Sequence, residues 1–300
     1  MAEHGLVAQR VHGYARHASA LVGRMTAGRR MSPSFLVVGG QRCGTTALYK
    51  KLVQHPAVLG AGLHKGVHYF DTDFSRSFQW YLGHFPMKSA ARRIEHRIGV
   101  PAITGEASPY YMFHPAAGER IARTLPGVKL ICILRDPVER AYSAYAHEKA
   151  RGYESETFED AIALESKRLR GEEDRIRSDP SYVSTYHQHN AYLARGRYIE
   201  QLLRLERLVG RDRLLVLDFD EVFDDVKDSM RTLSDFLELP VWTPEDIPKR
   251  NARPRDAMPA GLRASLRSYF RDYDQELARW WGKTPSWRDG DQRPLGRASH

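Results

Sequence analysis

Cysteine is scarce in this chain: Cys43 and Cys132 are the only two among 300 residues. They supply neither a disulfide framework nor a Cys-x-x-Cys pair, which argues against a stapled secreted scaffold and for a reducing, cytoplasmic setting. Long apolar runs are missing as well. The longest, Phe35-Leu36-Val37-Val38 and Val128 to Leu134, fall far short of the roughly 18 residues that a membrane-crossing helix needs. No secretory leader is expected, because Arg10, Arg16, Arg24, Arg29 and Arg30 interrupt any apolar stretch in the first 30 residues.

Positive charge, by contrast, is plentiful. The chain carries 46 Lys and Arg against 37 Asp and Glu, a formal charge of +9, so its surface attracts anions. Nucleic acid, anionic lipid headgroups and multiply phosphorylated nucleotides all fit that description, and charge alone does not choose among them. Hydrophobic residues make up 42% of the sequence, enough to bury the core of one large α/β domain. Leu6, Val7, Val11, Tyr14, Ala18, Leu21 and Val22 recur at helical spacing. Residues 1–31 are therefore read as a basic amphipathic segment that packs on the domain, with attachment to anionic lipid as the alternative. Residues 32–300 are read as a single domain.

Along that domain, strand and helix patterns alternate. Ser34 to Val38 predicts a strand, Gly39-Gly40 a turn, and Thr45 to Gln54 a helix, the opening unit of a parallel α/β fold. Val67 to Phe70 and Ala102 to Thr104 are short strand candidates, and Ala116 to Leu125 reads as a helix broken by Pro126-Gly127. Lys129 to Leu134 is nearly all apolar, as expected of a strand buried on both faces, and Pro137 suits the first turn of the helix that follows. A charged region from Glu154 to Pro180 precedes a helix over Arg197 to Val209, a strand over Leu214 to Phe219, one or two helices to Leu237, and a last helix from Pro259 to Trp281. The fold class that results is α/β: a P-loop-type parallel sheet flanked by helices.

Two segments carry chemistry. Gly39-Gly40-Gln41-Arg42-Cys43-Gly44-Thr45-Thr46 has the Gly-x4-Gly spacing of a phosphate-binding loop in the required strand-to-helix setting. Glycines let successive backbone N–H groups turn toward a phosphate, and the helix N-terminus adds partial positive charge. A loop for nucleoside triphosphates would have Lys directly after the second glycine. Thr45 stands there instead, and the cation sits inside the loop as Arg42. The second segment, Leu130 to Ser143, delivers Arg135 to the carboxyl end of its strand, where a triphosphatase would have a magnesium-binding acid. Asp136, just before Pro137, is suited to cap the helix, and Ser143 lies two turns in. Arg135 and Ser143 are positioned to hold a second phosphate.

Together these segments resemble the 5′-phosphosulfate loop and the 3′-phosphate segment of sulfotransferases that use 3′-phosphoadenosine 5′-phosphosulfate (PAPS), above all bacterial members and the heparan sulfate branch. The likeness extends to Val67-His68-Tyr69-Phe70-Asp71, to Gly105-Glu106-Ala107-Ser108-Pro109-Tyr110-Tyr111 and to Leu193-Ala194-Arg195-Gly196-Arg197-Tyr198. It implies that Gln41, Arg42, Cys43, Gly44, Thr45 and Thr46 hold the 5′-phosphosulfate, with Arg42 near the oxygen where charge develops. Arg135 and Ser143 would bind the 3′-phosphate, with Arg250 and Asn251 in a loop closing over it. Family members often have Lys where Arg42 stands, and Arg is far less able to give up a proton. No metal is expected, since fixed donors stabilise the leaving nucleotide, 3′-phosphoadenosine 5′-phosphate (PAP).

The general base is where the likeness breaks. The heparan branch has a Glu at the place of Gly66, which has no side chain for the task. Two candidates remain: His68, whose ordinary pKa lies near neutrality, and Glu106, which would need burial to raise its own. Asp71 is read as orienting its neighbours or capping the next turn. His187-Gln188-His189 is read as a solvated loop, the charged stretch around Arg168 to Arg177 as a solvated helix face, and Trp280, Trp281 and Trp287 as packing for the tail. The acceptor, a glycan, glycolipid or small metabolite, has no recognisable motif; no nucleic-acid partner is expected. The alternatives are a P-loop kinase or NTPase and a non-catalytic module that binds nucleotides or polyanions.

Overall fold

A computed structural model describes residues 23–62, 65–243 and 258–288. Strand β1 (Phe35–Gly39) is followed by α1 (Thr45–Leu52), β2 (Val58–Gly60), α2 (Phe78–Leu82), α3 (Lys88–Ile98) and β3 (Ile103–Ala107). Next come α4 (Ala117–Thr124), β4 (Lys129–Leu134), α5 (Pro137–Ala150), α6 (Phe158–Leu169), α7 (Glu172–Ser178) and α8 (Thr185–His189). The chain continues through α9 (Tyr198–Val209), β5 (Leu214–Asp218), α10 (Phe219–Asp224), α11 (Val226–Leu237) and α12 (Ala260–Trp281).

The five strands form one parallel sheet in the order β2-β3-β1-β4-β5. From β1 the chain first crosses to the edge strand β2 and returns to β3 beside β1, and then builds outward on the other side through β4 and β5. Such a reversal opens a crevice at the carboxyl ends of the central strands, which is where ligands of open α/β sheets sit. Helices cover both faces because the strands are apolar on both: Phe35 to Val38 and Leu130 to Leu134 have no exposure at all. One core cluster joins Leu36, Leu130 and Cys132 to α4 and α9, and the other joins Phe35, Ile131 and Ile133 to α1 and α11.

The expected strand at Val67 to Phe70 does not form. Val67, Tyr69 and Phe70 are buried, as their apolar character requires, but the segment bonds to side chains rather than to a neighbouring strand. The Val67 N–H donates to Glu106 at 2.7 Å, the His68 N–H to Ser108 Oγ at 3.1 Å, and the Phe70 N–H to the Tyr111 hydroxyl at 3.4 Å. The edge strand is instead β2, Val58–Gly60, which is only three residues long. The described end of the N-terminal segment lies against the turn after α2, where Arg30 donates to the Phe85 carbonyl at 2.7 Å.

Candidate functional site

The loop between β1 and α1 is closed by its own backbone. The Gly40 N–H donates to the Ile133 carbonyl of β4 at 2.8 Å, and the Cys43 N–H turns back onto the Gly40 carbonyl at 3.1 Å. Gly44 has φ 87°, and a β-carbon there would stand 2.9 Å from the Phe219 ring, so both backbone and space require glycine. Cys43 is fully buried, and that burial pushes its thiol pKa up against the opposing pull of Arg140 and Tyr198. Thr45 is buried at the start of α1, and Thr46 is exposed beside it.

The second anion-binding segment lies alongside the loop. Arg42 Nε donates to Ser143 Oγ at 3.2 Å, although the two residues are 101 positions apart. Arg135 directly follows β4, with its guanidinium 5.1 Å from the centre of the Phe219 ring, the ring that also packs on Gly44. Glu139 approaches it to 4.0 Å, and the side chain is a quarter exposed. Asp136 caps α5 as expected, accepting from the N–H groups of Val138 at 2.8 Å and Glu139 at 3.4 Å. Tyr198 ties the two segments together: its hydroxyl donates to the Arg135 carbonyl at 2.8 Å and lies 3.7 Å from Cys43 Sγ. Arg250 and Asn251 lie outside the described residues.

His68 and Glu106 come together, but in different surroundings. Glu106 has no exposure, and both of its oxygens are occupied. Oε2 accepts from the Val67 N–H and from Ser108 Oγ at 2.6 Å; Oε1 accepts from the Tyr111 and Tyr81 hydroxyls at 2.8 and 3.1 Å. Burial raises its pKa, opposed by these donors and by the charge of His68. His68 is 41% exposed at the side chain and has φ 57°, a region that non-glycine residues enter rarely and often at functional sites. Its Nδ1 lies 2.9 Å from the buried Asp71 carboxylate, leaving Nε2 as the nitrogen that Asp71 does not hold. Burial lowers the imidazole pKa, but the hydrogen bond and charge of Asp71, with the charge of Glu106, outweigh it, so the pKa is raised. A β-carbon on Gly66 would stand 2.7 Å from the Ala107 carbonyl and 3.4 Å from His68 Nε2. The imidazole thus borders the space from which a side chain at position 66 would grow.

A family model described as "Sulfotransferase domain" matches residues 32–252. The chain belongs to the sulfotransferase family. Its relatives include the membrane-associated sulfotransferase kil1 of Dictyostelium discoideum, 23% identical over 86% of this chain and 67% of that protein. Human bifunctional heparan sulfate N-deacetylase/N-sulfotransferase 3 is 28% identical over 85% of this chain but only 31% of its own length. The chain therefore spans less than a third of that human relative. Among solved structures, a sulfotransferase from Alicyclobacillus acidocaldarius superposes with a TM-score of 0.61 at 27% identity, covering 86% of this chain and 99% of that one. The protein is a sulfotransferase enzyme, and the kinase and non-catalytic alternatives fall away.

Several residues of this sulfotransferase stand apart from their sequence reading. His187 and His189 are not in a solvated loop but on α8. His187 is buried and stacked on Phe113 at 4.3 Å, and His189 is stacked on Tyr153 at 3.8 Å. The charged stretch is partly interior: Glu154 holds Arg168 through two hydrogen bonds, at 2.7 and 3.1 Å, and also accepts from Asn190 and Tyr192. Burial opposes the ionisation of Glu154, but these donors prevail and bring its pKa down to about 2. Glu165 accepts three successive backbone N–H groups, from Tyr192, Leu193 and Ala194, at 2.7 to 2.9 Å. That clasp sets the turn from which Arg195 reaches the loop residue Gln41. The sequence placed Arg195 in a family-like segment without giving it a role. Trp280 and Trp287 pack the tail as expected, donating to Glu206 and Asp274.

Proposed function

We propose that this sulfotransferase moves a sulfuryl group from PAPS to a hydroxyl or amine of an acceptor, leaving PAP. The observation that carries the reading is the Arg42–Ser143 hydrogen bond at 3.2 Å, which makes neighbours of the two anion-binding segments. Fixed N–H and guanidinium donors around such a pair suit a bisphosphorylated nucleotide, and Arg42 would oppose the charge that grows on the leaving oxygen. His68 is the base in this reading. Asp71 holds Nδ1, so Nε2 is free to take the acceptor's proton, and Glu106 supports the turn from within. A carbohydrate acceptor is favoured over a glycolipid or small metabolite by the heparan sulfate relatives. A cytoplasmic location accords with two buried, unpaired thiols, and a division at residue 31 accords with a family match that starts at residue 32.

Titration with PAP in the absence of magnesium should raise the melting temperature, with ATP much weaker. Labelled PAPS should then transfer sulfate to a glycan in an acceptor screen. Arg135→Ala should weaken PAP at least about tenfold, about 1.4 kcal/mol. Stronger stabilisation by magnesium-ATP, or unchanged PAP affinity in Arg135→Ala, would overturn the assignment.

A further inference from the structure

Two buried arginines stand behind the phosphate loop, and neither meets a carboxylate. Arg140, on α5, has no exposure, and Arg195, in the turn before α9, is 4% exposed. Among the described residues no acid lies within ion-pairing distance of either guanidinium. Arg140 donates through Nη2 to the Tyr192 carbonyl, while its Nε and Nη1 have no partner. Arg195 gives Nη2 to the carbonyls of His187 at 2.8 Å and Gln188 at 2.6 Å, and its Nε is likewise unpartnered. Its guanidinium carbon lies 4.8 Å from the Tyr110 ring centre and 5.0 Å from that of Phe113. Taking a cation with no contacting carboxylate out of water is costly, and Glu148 and Glu165 act on these guanidiniums only from beyond ion-pairing distance.

The remaining arm of Arg195 settles how Gln41 faces. Nη1 donates to Gln41 Oε1, and because a guanidinium can only donate, the amide must turn its oxygen toward Arg195. The NH2 end of Gln41 is then the end left for another partner, in a loop position immediately before Arg42. Arg195 cannot easily swing away: its other arm is fixed by two carbonyls, and its flat face is covered by two rings.

We propose that Arg195 is a positioning residue for the 5′-phosphate end of the donor. It fixes Gln41 with its NH2 group available to that phosphate and, together with Arg140, keeps buried positive charge behind the loop, while neither arginine touches the nucleotide. The proposal rests on the PAPS reading but is separable from it.

Calorimetry with two ligands tests it: PAP, and adenosine 3′-monophosphate, which lacks the 5′-phosphate. Arg195→Met should weaken PAP by about tenfold or more and leave adenosine 3′-monophosphate within about twofold. Gln41→Ala should show the same selective loss, and the double variant should lose little more than either single one, because the two residues act as a unit. Arg195→Lys, which keeps the charge without the fork, should fall between wild type and Arg195→Met. Equal weakening of both ligands in Arg195→Met would mean a merely structural plug under α8, and no weakening of PAP would overturn the proposal outright. If Arg195→Met does not fold, Gln41→Ala alone decides: an unselective or absent effect sinks the idea. Wild-type protein that does not bind PAP at all would refute the donor reading first, a result distinct from either of these.

Discussion

Replacing Glu106 with glutamine separates a carboxylate that holds the site from one that performs chemistry. The side chain accepts four hydrogen bonds of 2.6 to 3.1 Å, and nothing in its surroundings reaches solvent. In Glu106→Gln the amide oxygen can keep the Val67 N–H and Ser108, and the NH2 group then faces two tyrosine hydroxyls, which can rotate to accept. What is lost is the fit of the acceptor set, about 1 kcal/mol per mismatched bond, and this is partly offset once Glu106 ionises, because a neutral amide is cheaper to bury than a carboxylate. A net cost of about 2 kcal/mol corresponds to a fall of about 3 °C in melting temperature for a protein of this size. The loss depends on pH in a defined direction. Burial raises the folded-state pKa of Glu106, so its contribution is fully present below the unfolded value and is lost as pH rises through the folded one. The gap between wild type and variant should therefore be widest in mild acid and narrow as the solution becomes alkaline. Turnover, measured with labelled PAPS below the new melting point, should stay within about tenfold of wild type if, as proposed, His68 rather than Glu106 meets the acceptor. An unchanged melting temperature together with a loss beyond about 100-fold in kcat would refute the argument and move the base from His68 to Glu106.

Arg42→Ala should lower kcat more than donor affinity, because the guanidinium is assigned to charge that develops only as the sulfuryl group leaves; equal losses in both would show plain ground-state binding. Asp71→Asn removes the partner that holds the His68 pKa up, so the acidic limb of the pH–rate profile should move to lower pH while the maximal rate falls. A limb that stays in place would mean that another group titrates there.

The sheet was legible because its strands are buried on both faces and leave continuous apolar runs: Lys129 to Leu134 is a strand over the very residues expected. The loop was legible through its glycines, and Asp136 through its place before Pro137. The stretch around His68 was not, because burial at Val67, Tyr69 and Phe70 mimics a strand when hydrogen-bond partners are unknown. Those partners come from Glu106, Ser108 and Tyr111, about forty positions away. The stretch around Arg168 was read as a solvated face for a related reason. A charged sequence reads as surface, and only tertiary structure reveals that Arg168 and three backbone N–H groups await the carboxylates of Glu154 and Glu165. Arg195 had a motif but no visible partner, since Gln41 lies 154 positions away.

The crowding at Gly66 limits which side chains that position can carry. With the Ala107 carbonyl and the imidazole already against that α-carbon, an acid introduced there by one codon change would meet main chain before it met an acceptor. Placing a carboxylate at position 66 would demand concerted shifts of the His68 and Ala107 segments. The choice of side chain at position 66 is thereby tied to the placement of the imidazole and of the Ala107 carbonyl.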